Sequence, residues 1–198
     1  AEAAVSFQNV SLSYRSVKGD PHIVFQDLDL NIRKGEKVAL LGSNGPGNST
    51  LMKLMVGLLK PNAGTVSLFG EAIGDKKAEA LFRQISLVYQ NPEEMFIKDS
   101  IRGDIAYAME VRNIPEWERR TAELLERFRL TELQDRDGRL MSGGQMRRAS
   151  LAIGIALNPG LLLLDEPTAN LDIATRRGIL TVLEEMTDII QTAVLPTH

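Results

Sequence analysis

Apolar and polar residues alternate along the first third of the chain, at Val5 and Phe7, then at Val10, Leu12 and Tyr14, then at Leu28, Leu30 and Ile32. A period of two sends successive side chains to opposite faces, so these stretches are predicted as half-buried strands of an antiparallel sheet, with Thr65 to Phe69 as another of its strands. The pattern changes after Glu36. Lys37 to Gly42 (KVALLG) is a continuous apolar run ending in glycine, followed by a glycine-rich loop and the helix-like STLMKLMVGLLK of Ser49 to Lys60. Strand, loop and helix in that order open a parallel α/β unit. Ile85 to Gln90 (ISLVYQ) reads as a buried core strand. From Lys98 to about Leu140 the chain turns helical and charged: Pro115 with Glu116 and Glu118 suits a first helical turn, and Leu124, Leu125 and Phe128 supply an apolar stripe. This is predicted as an inserted helical lobe. A helix from near Ser142, a strand over Leu161 to Asp165, a helix through Ile179 to Met186 and a strand AVLPTH complete the order. Pro196 is out of place in that last strand, because proline lacks the N–H that a ladder needs.

Three short motifs carry chemistry. Gly42-Ser43-Asn44-Gly45-Pro46-Gly47-Asn48-Ser49-Thr50 has the glycine frame of a phosphate-binding loop between a strand and a helix. Glycines let the backbone curl until its N–H groups and the helix N-terminus converge on an anion; the plainer alternative is a tight strand-to-helix turn. Asn48 stands where the pattern has lysine, and Pro46 removes one N–H from the cradle. Leu161 to Leu164 run into Asp165 and Glu166, so a buried strand would deliver two carboxylates at its carboxyl end, where open parallel sheets bind ligands. The first can hold Mg²⁺ and the second can orient or deprotonate a water, whereas a lone acidic pair is often just a solvated turn. Ser142-Gly143-Gly144-Gln145 is a capping box whose paired glycines leave the helix start open to a phosphate. Standing alone it would be plain helix capping.

Composition narrows the class. The chain has 198 residues, 43% apolar and 25% charged, enough for a full core and unlike a disordered chain. The net charge of −3 argues against a nucleic-acid-binding face, and the absence of cysteine removes disulfides, thiolate metal sites and cysteine nucleophiles and fits a cytosolic origin. No apolar run approaches the roughly 20 residues that span a bilayer, and the opening AEAAVSFQNV lacks the features of a signal peptide. The chain starts without Met and stops at His198 directly after a strand, so a C-terminal truncation is expected.

Taken in order, the phosphate loop, Gln90 after a strand, MSGGQ at Met141 to Gln145, LLLLDEP at Leu161 to Pro167, NLD at Asn170 to Asp172 and the terminal His198 resemble the nucleotide-binding subunits of ABC transporters. The resemblance covers essentially the whole chain. Gln90 to Phe96 (QNPEEMF), followed by DIAYAMEVRNIP, looks most like the ATPases of energy-coupling-factor and cobalt-type importers. It implies an α/β fold with a P-loop NTPase core on a parallel sheet, an N-terminal antiparallel β subdomain and an inserted helical subdomain. Residues 1–198 would form one ABC-type ATP-binding domain, with the β subdomain at about 1–35 and 61–75, the helical lobe at about 91–150 and the remainder as core.

It further implies ATP and Mg²⁺ as cofactors. Tyr14 would stack on adenine, against the alternative of a core aromatic. Gly42, Ser43, Asn44, Gly45, Gly47, Asn48, Ser49 and Thr50 would hold phosphates, and Ser49, Gln90 and Asp165 would hold the metal. Glu166 would be the base, His198 the γ-phosphate sensor, and Gln90 would join them in the catalytic set; for His198, a frayed terminus is the alternative. Ser142, Gly143, Gly144 and Gln145 would meet ATP bound by a second ATP-binding subunit. A transmembrane transporter subunit is the other implied partner, no nucleic acid is expected, and the place of work would be cytoplasmic, on the inner face of the cell membrane. Phe96, Ile97 and Ile101 are expected to anchor a helix of the membrane partner, with core packing as the alternative. A non-hydrolysing regulatory half, prompted by Asn48, and a soluble non-transport ABC ATPase are the rival functions.

Overall fold

The computed structural model describes residues 2–41, 47–73, 83–88, 92–164 and 173–197. Strands β1 (Ala3–Arg15) and β2 (Pro21–Arg33) form a long antiparallel hairpin, and β1 also pairs with β4 (Ala63–Leu68), which pairs with the short β5 (Glu71–Ala72). The order is β2-β1-β4-β5. The two expected strands around Val5 and Val10 are one strand with a bulge between them. Alternation survives on either side because Val5, Phe7, Val10 and Leu12 are all buried, the bulge having shifted the phase by one residue at Asn9. Asn9 takes a left-handed φ of 49°, and its N–H donates to Asp29 Oδ1 at 2.8 Å.

Gly64 faces that bulge with φ +86°, and a Cβ there would collide with the Asn9 carbonyl. Gly64→Ala should therefore cost about 2 kcal/mol or more, from backbone strain plus overlap. Urea unfolding reads this directly; an unchanged midpoint would mean that β4 can slide away from the bulge at no cost.

The second sheet is parallel, with β3 (Lys37–Leu41), β8 (Ala193–Thr197), β7 (Leu161–Leu164) and β6 (Ile85–Val88) in that order. All four leucines of β7 are buried, as a strand covered on both faces requires. Leu161 and Leu163 join a core with β1, β4 and helix α1 (Gly47–Met55). Leu162 and Leu164 join a second core with helices α2 (Ile101–Val111), α3 (Trp117–Arg127), α4 (Gly143–Ile155) and α5 (Ile173–Glu185). Each buried leucine contributes about 1.5–3 kcal/mol, so β7 is the shared wall of both cores.

Several elements differ from their sequence expectation. Helix α1 stops at Met55 because Gly57 turns left-handed at φ +75° and the Leu58 N–H closes back on the Lys53 carbonyl. Helix α3 starts at Trp117, since Glu116 sits at φ +58° and leaves Pro115 in the preceding turn. Its stripe of Leu124, Leu125 and the following Phe128 is buried as expected. Pro196 is accommodated inside β8 by the geometry of the ladder. The Ala193 N–H donates to the Glu36 carbonyl beside β3, and N–H groups alternate sides along a strand, so the missing donor of Pro196 faces β7. The β7 pairing ends at Leu163 with Val194, so Pro196 lies beyond the last paired residues on that side.

Candidate functional site

The four parallel strands end at one edge. Leu41 is level with Thr197, Leu163 with Val194, and Val88 with Leu164. The chain therefore leaves β3 toward residue 42, β6 toward 89, β7 toward 165 and β8 toward 198 at the same carboxyl edge, where open α/β sheets bind ligands. Gly42, Ser43, Asn44, Gly45, Gln90, Asp165, Glu166 and His198 themselves lie outside the described residues. Gly47, Asn48 and Ser49 form the first helical residues of α1, which carries no acidic group in its first turn. An N-terminus without carboxylates keeps its partial positive charge available to an anion. Thr50 follows, buried at 6% exposure.

Tyr14 stands near the end of β1, cross-strand from His22 and 44% exposed, which excludes the core-packing alternative. Its ring does not fill the interior.

The box at Ser142 forms as its spacing demands. The Gln145 N–H donates to Ser142 Oγ at 3.3 Å, and the Ser142 N–H donates to Gln145 Oε1 at 3.2 Å. Gly143 and Gly144 are exposed, and a Cβ on either would meet nothing within 4 Å. The start of α4 is thus capped yet open. Helices α1 and α4 lie on opposite faces of the parallel sheet, because the odd and even leucines of β7 point to different cores.

The expected partner anchors divide. Phe96 is 4% exposed and Ile101 fully buried, so both are core residues, while Ile97 is 61% exposed. Phe96 packs so closely on Gly138 that a Cβ there would come within 2.5 Å of its ring. Beside Ile97, the Lys98 ammonium lies 4.7 Å from the centroid of the partly exposed Tyr107 ring, within cation–π range.

Asp104 escaped the sequence reading. Its carboxylate is 4% exposed on the face of α2 that also buries Ile101, Ile105 and Met109, and a charge in that stripe was the available signal. Oδ1 accepts the N–H groups of Ile97 and Lys98, each at 2.8 Å, while Oδ2 has no partner. Burial pushes this carboxyl above its ordinary pKa, against the two backbone N–H bonds that pull it down. Among the described residues no group of His, Asp or Glu is clustered to hold a metal. No described helix is long and apolar enough to cross a membrane.

The family profile of the ABC transporters matches residues 25–169. Similar proteins include the energy-coupling factor transporter ATP-binding protein EcfA1 of Staphylococcus aureus strain MRSA252, 35% identical over 186 residues that cover 93% of this chain and 68% of that protein. The EcfA1 of Mycoplasma pneumoniae is 33% identical over 199 residues, covering 100% of this chain and 71% of its own length. Among solved structures, cbiO1 from Clostridium perfringens, described as part of the ABC transporter complex cbiONQ, superposes with a TM-score of 0.88 at 28% identity, covering 100% of this chain and 79% of that one. The ATP-binding cassette MJ0796, a dimer in a post-hydrolysis state with ADP and Pi, superposes with a TM-score of 0.74 at 25% identity, covering 98% and 88%.

Proposed function

This chain belongs to the ABC transporter family of ATP-binding, ATP-hydrolysing subunits, and from that premise we propose that it drives an energy-coupling-factor-type importer as one of two ATP-binding subunits on the inner face of the membrane. The observation that carries the two-subunit reading is the placement of α1 and α4 on opposite faces of one sheet. A nucleotide held at the start of α1 is therefore met by the open start of α4 from another copy or a homologous subunit.

Within one site, the loop Gly42 to Thr50 wraps the phosphates with backbone N–H groups, and Tyr14 covers the adenine. Ser49, Gln90 and Asp165 are the oxygen donors suited to Mg²⁺, and the strands that precede Gln90 and Asp165 pair with each other, Val88 level with Leu164. Mg²⁺, if held there, would supply neutralisation of the negative charge on the phosphates. Glu166 accepts a proton from the attacking water as its oxygen bonds to the γ-phosphorus and the bond to the β,γ-bridging oxygen breaks. His198 contacts the γ-phosphoryl group, and ADP and phosphate leave. A regulatory half that holds ATP without turnover is the second reading, favoured by Asn48 in the lysine position.

The membrane partner docks on the face that bears Ile97, Lys98 and Tyr107, with Phe96 and Ile101 beneath it as support. Ile97→Glu should abolish co-purification of the membrane subunit from native membranes and leave ATP binding unchanged in calorimetry. Undiminished co-purification would move the docking face elsewhere.

A further inference from the structure

The loop after Phe96 and the turn before Ser142 are stitched together. The Ile101 N–H donates to the Arg136 carbonyl at 2.9 Å and the Arg102 N–H to the Gln134 carbonyl at 3.0 Å. The Phe96 ring lies against Gly138, and Arg139 reaches toward the Lys98 carbonyl at 3.5 Å. Two residues after Gly138, Leu140 is 85% exposed, and Met141 then turns inward at 7% to lead into the Ser142 cap.

One side chain orders the loop side of this seam. Asp104 Oδ1 gathers the consecutive N–H groups of Ile97 and Lys98, just where the chain passes from a buried Phe96 to an exposed Ile97. The geometry points to Asp104 as a positioning residue that locks the Ile97 loop onto helix α2 and thereby couples it, through Phe96 on Gly138, to the turn carrying Ser142. A load applied at Ile97 then shifts the start of α4 instead of being absorbed by a loose loop.

The acceptor oxygen, not the charge, performs this task. Oδ2 has no partner, and the nearby Arg139 is committed to Asp137 through bonds of 2.8 and 2.9 Å. The raised pKa agrees, since burial penalises the carboxylate more than its bonds favour it. An amide oxygen has the two lone pairs needed to accept both N–H groups, so asparagine should substitute and alanine should not. The consequence for ATP rests on the two-subunit reading above.

The test compares Asp104→Asn and Asp104→Ala in the full chain by residue-resolved hydrogen exchange. A background carrying Glu166→Gln adds a second readout, ATP-driven dimerisation. With alanine, exchange should rise at least about ten-fold at Ile97 and Lys98 and also across Leu140 to Gln145, equivalent to an opening that is ten-fold more populated. ATP-driven dimerisation should weaken about five-fold or more, from the same shift in population, while ATP affinity of the monomer stays unchanged. Asparagine should restore both readouts, as a role of the acceptor oxygen rather than of the charge requires.

Faster exchange confined to Ile97 and Lys98 would reduce Asp104 to a local loop clamp and overturn the coupling. Failure of asparagine to rescue would overturn the acceptor role, and loss of monomer ATP affinity with alanine would mark a global effect and overturn the positioning claim. If the Asp104-bearing parent itself does not dimerise on ATP, the two-subunit reading fails, and the exchange pattern across Leu140 to Gln145 still decides the coupling.

Discussion

Asn48→Lys should raise steady-state ATP turnover by at least about ten-fold, equivalent to about 1.4 kcal/mol of transition-state stabilisation. Charge accumulates on the γ-phosphoryl oxygens during transfer, and the ammonium of a lysine in this position meets it directly, whereas an amide offers only a dipole. Affinity for ATP should improve less than turnover, because ground-state phosphates would still meet the N–H groups of the loop and the start of α1, which carries no acidic group in its first turn. Phosphate release from the two variants, measured side by side, decides the matter. Equal turnover well above the Glu166→Gln blank would show that Asn48 is not limiting. Turnover at the blank level in both would favour the ATP-holding regulatory half.

Glu166→Gln should lower turnover by about 100-fold or more, as removal of a positioned general base does. It should also leave ATP bound, so that two copies remain clasped around two nucleotides. Light scattering should then report a dimer with Mg-ATP and a monomer with ADP. The opposite-face placement of α1 and α4 is the reason to expect it, since neither helix start can complete the other's site within one chain. An unchanged monomer, after calorimetry has confirmed ATP binding, would remove the basis for a shared site.

The expected fold class was legible because each part of it rests on a short-range signal. Alternation at Val5, Phe7, Val10 and Leu12 marks a half-buried strand, and the unbroken Leu161 to Leu164 marks one buried on both faces. The Ser142 box was legible for the same reason: its bonds join residues three apart, and local spacing determines whether they can form. Phe96 and Ile101 were less legible as core residues, because an apolar residue at a loop-helix junction suits either an interior or a docking surface. Gly138 decides the case for Phe96, and it lies 42 positions further along the chain.

By itself, then, the sequence determined the order of most strands and helices, the capped start of α4 and which carboxylate, hydroxyl and amide side chains the chain can offer a ligand. These follow from periodicity, turn residues and the side-chain chemistry at each position. Only the tertiary structure decided that the strands leading to residues 42, 89, 165 and 198 end at one edge, since parallel pairing joins segments far apart in the chain. It alone put α1 and α4 on opposite faces, turned Tyr14 outward and committed Asp104 to the N–H groups of Ile97 and Lys98. Each of these depends on which partner fills the space opposite a residue, and that is a property of packing between elements rather than of any one segment.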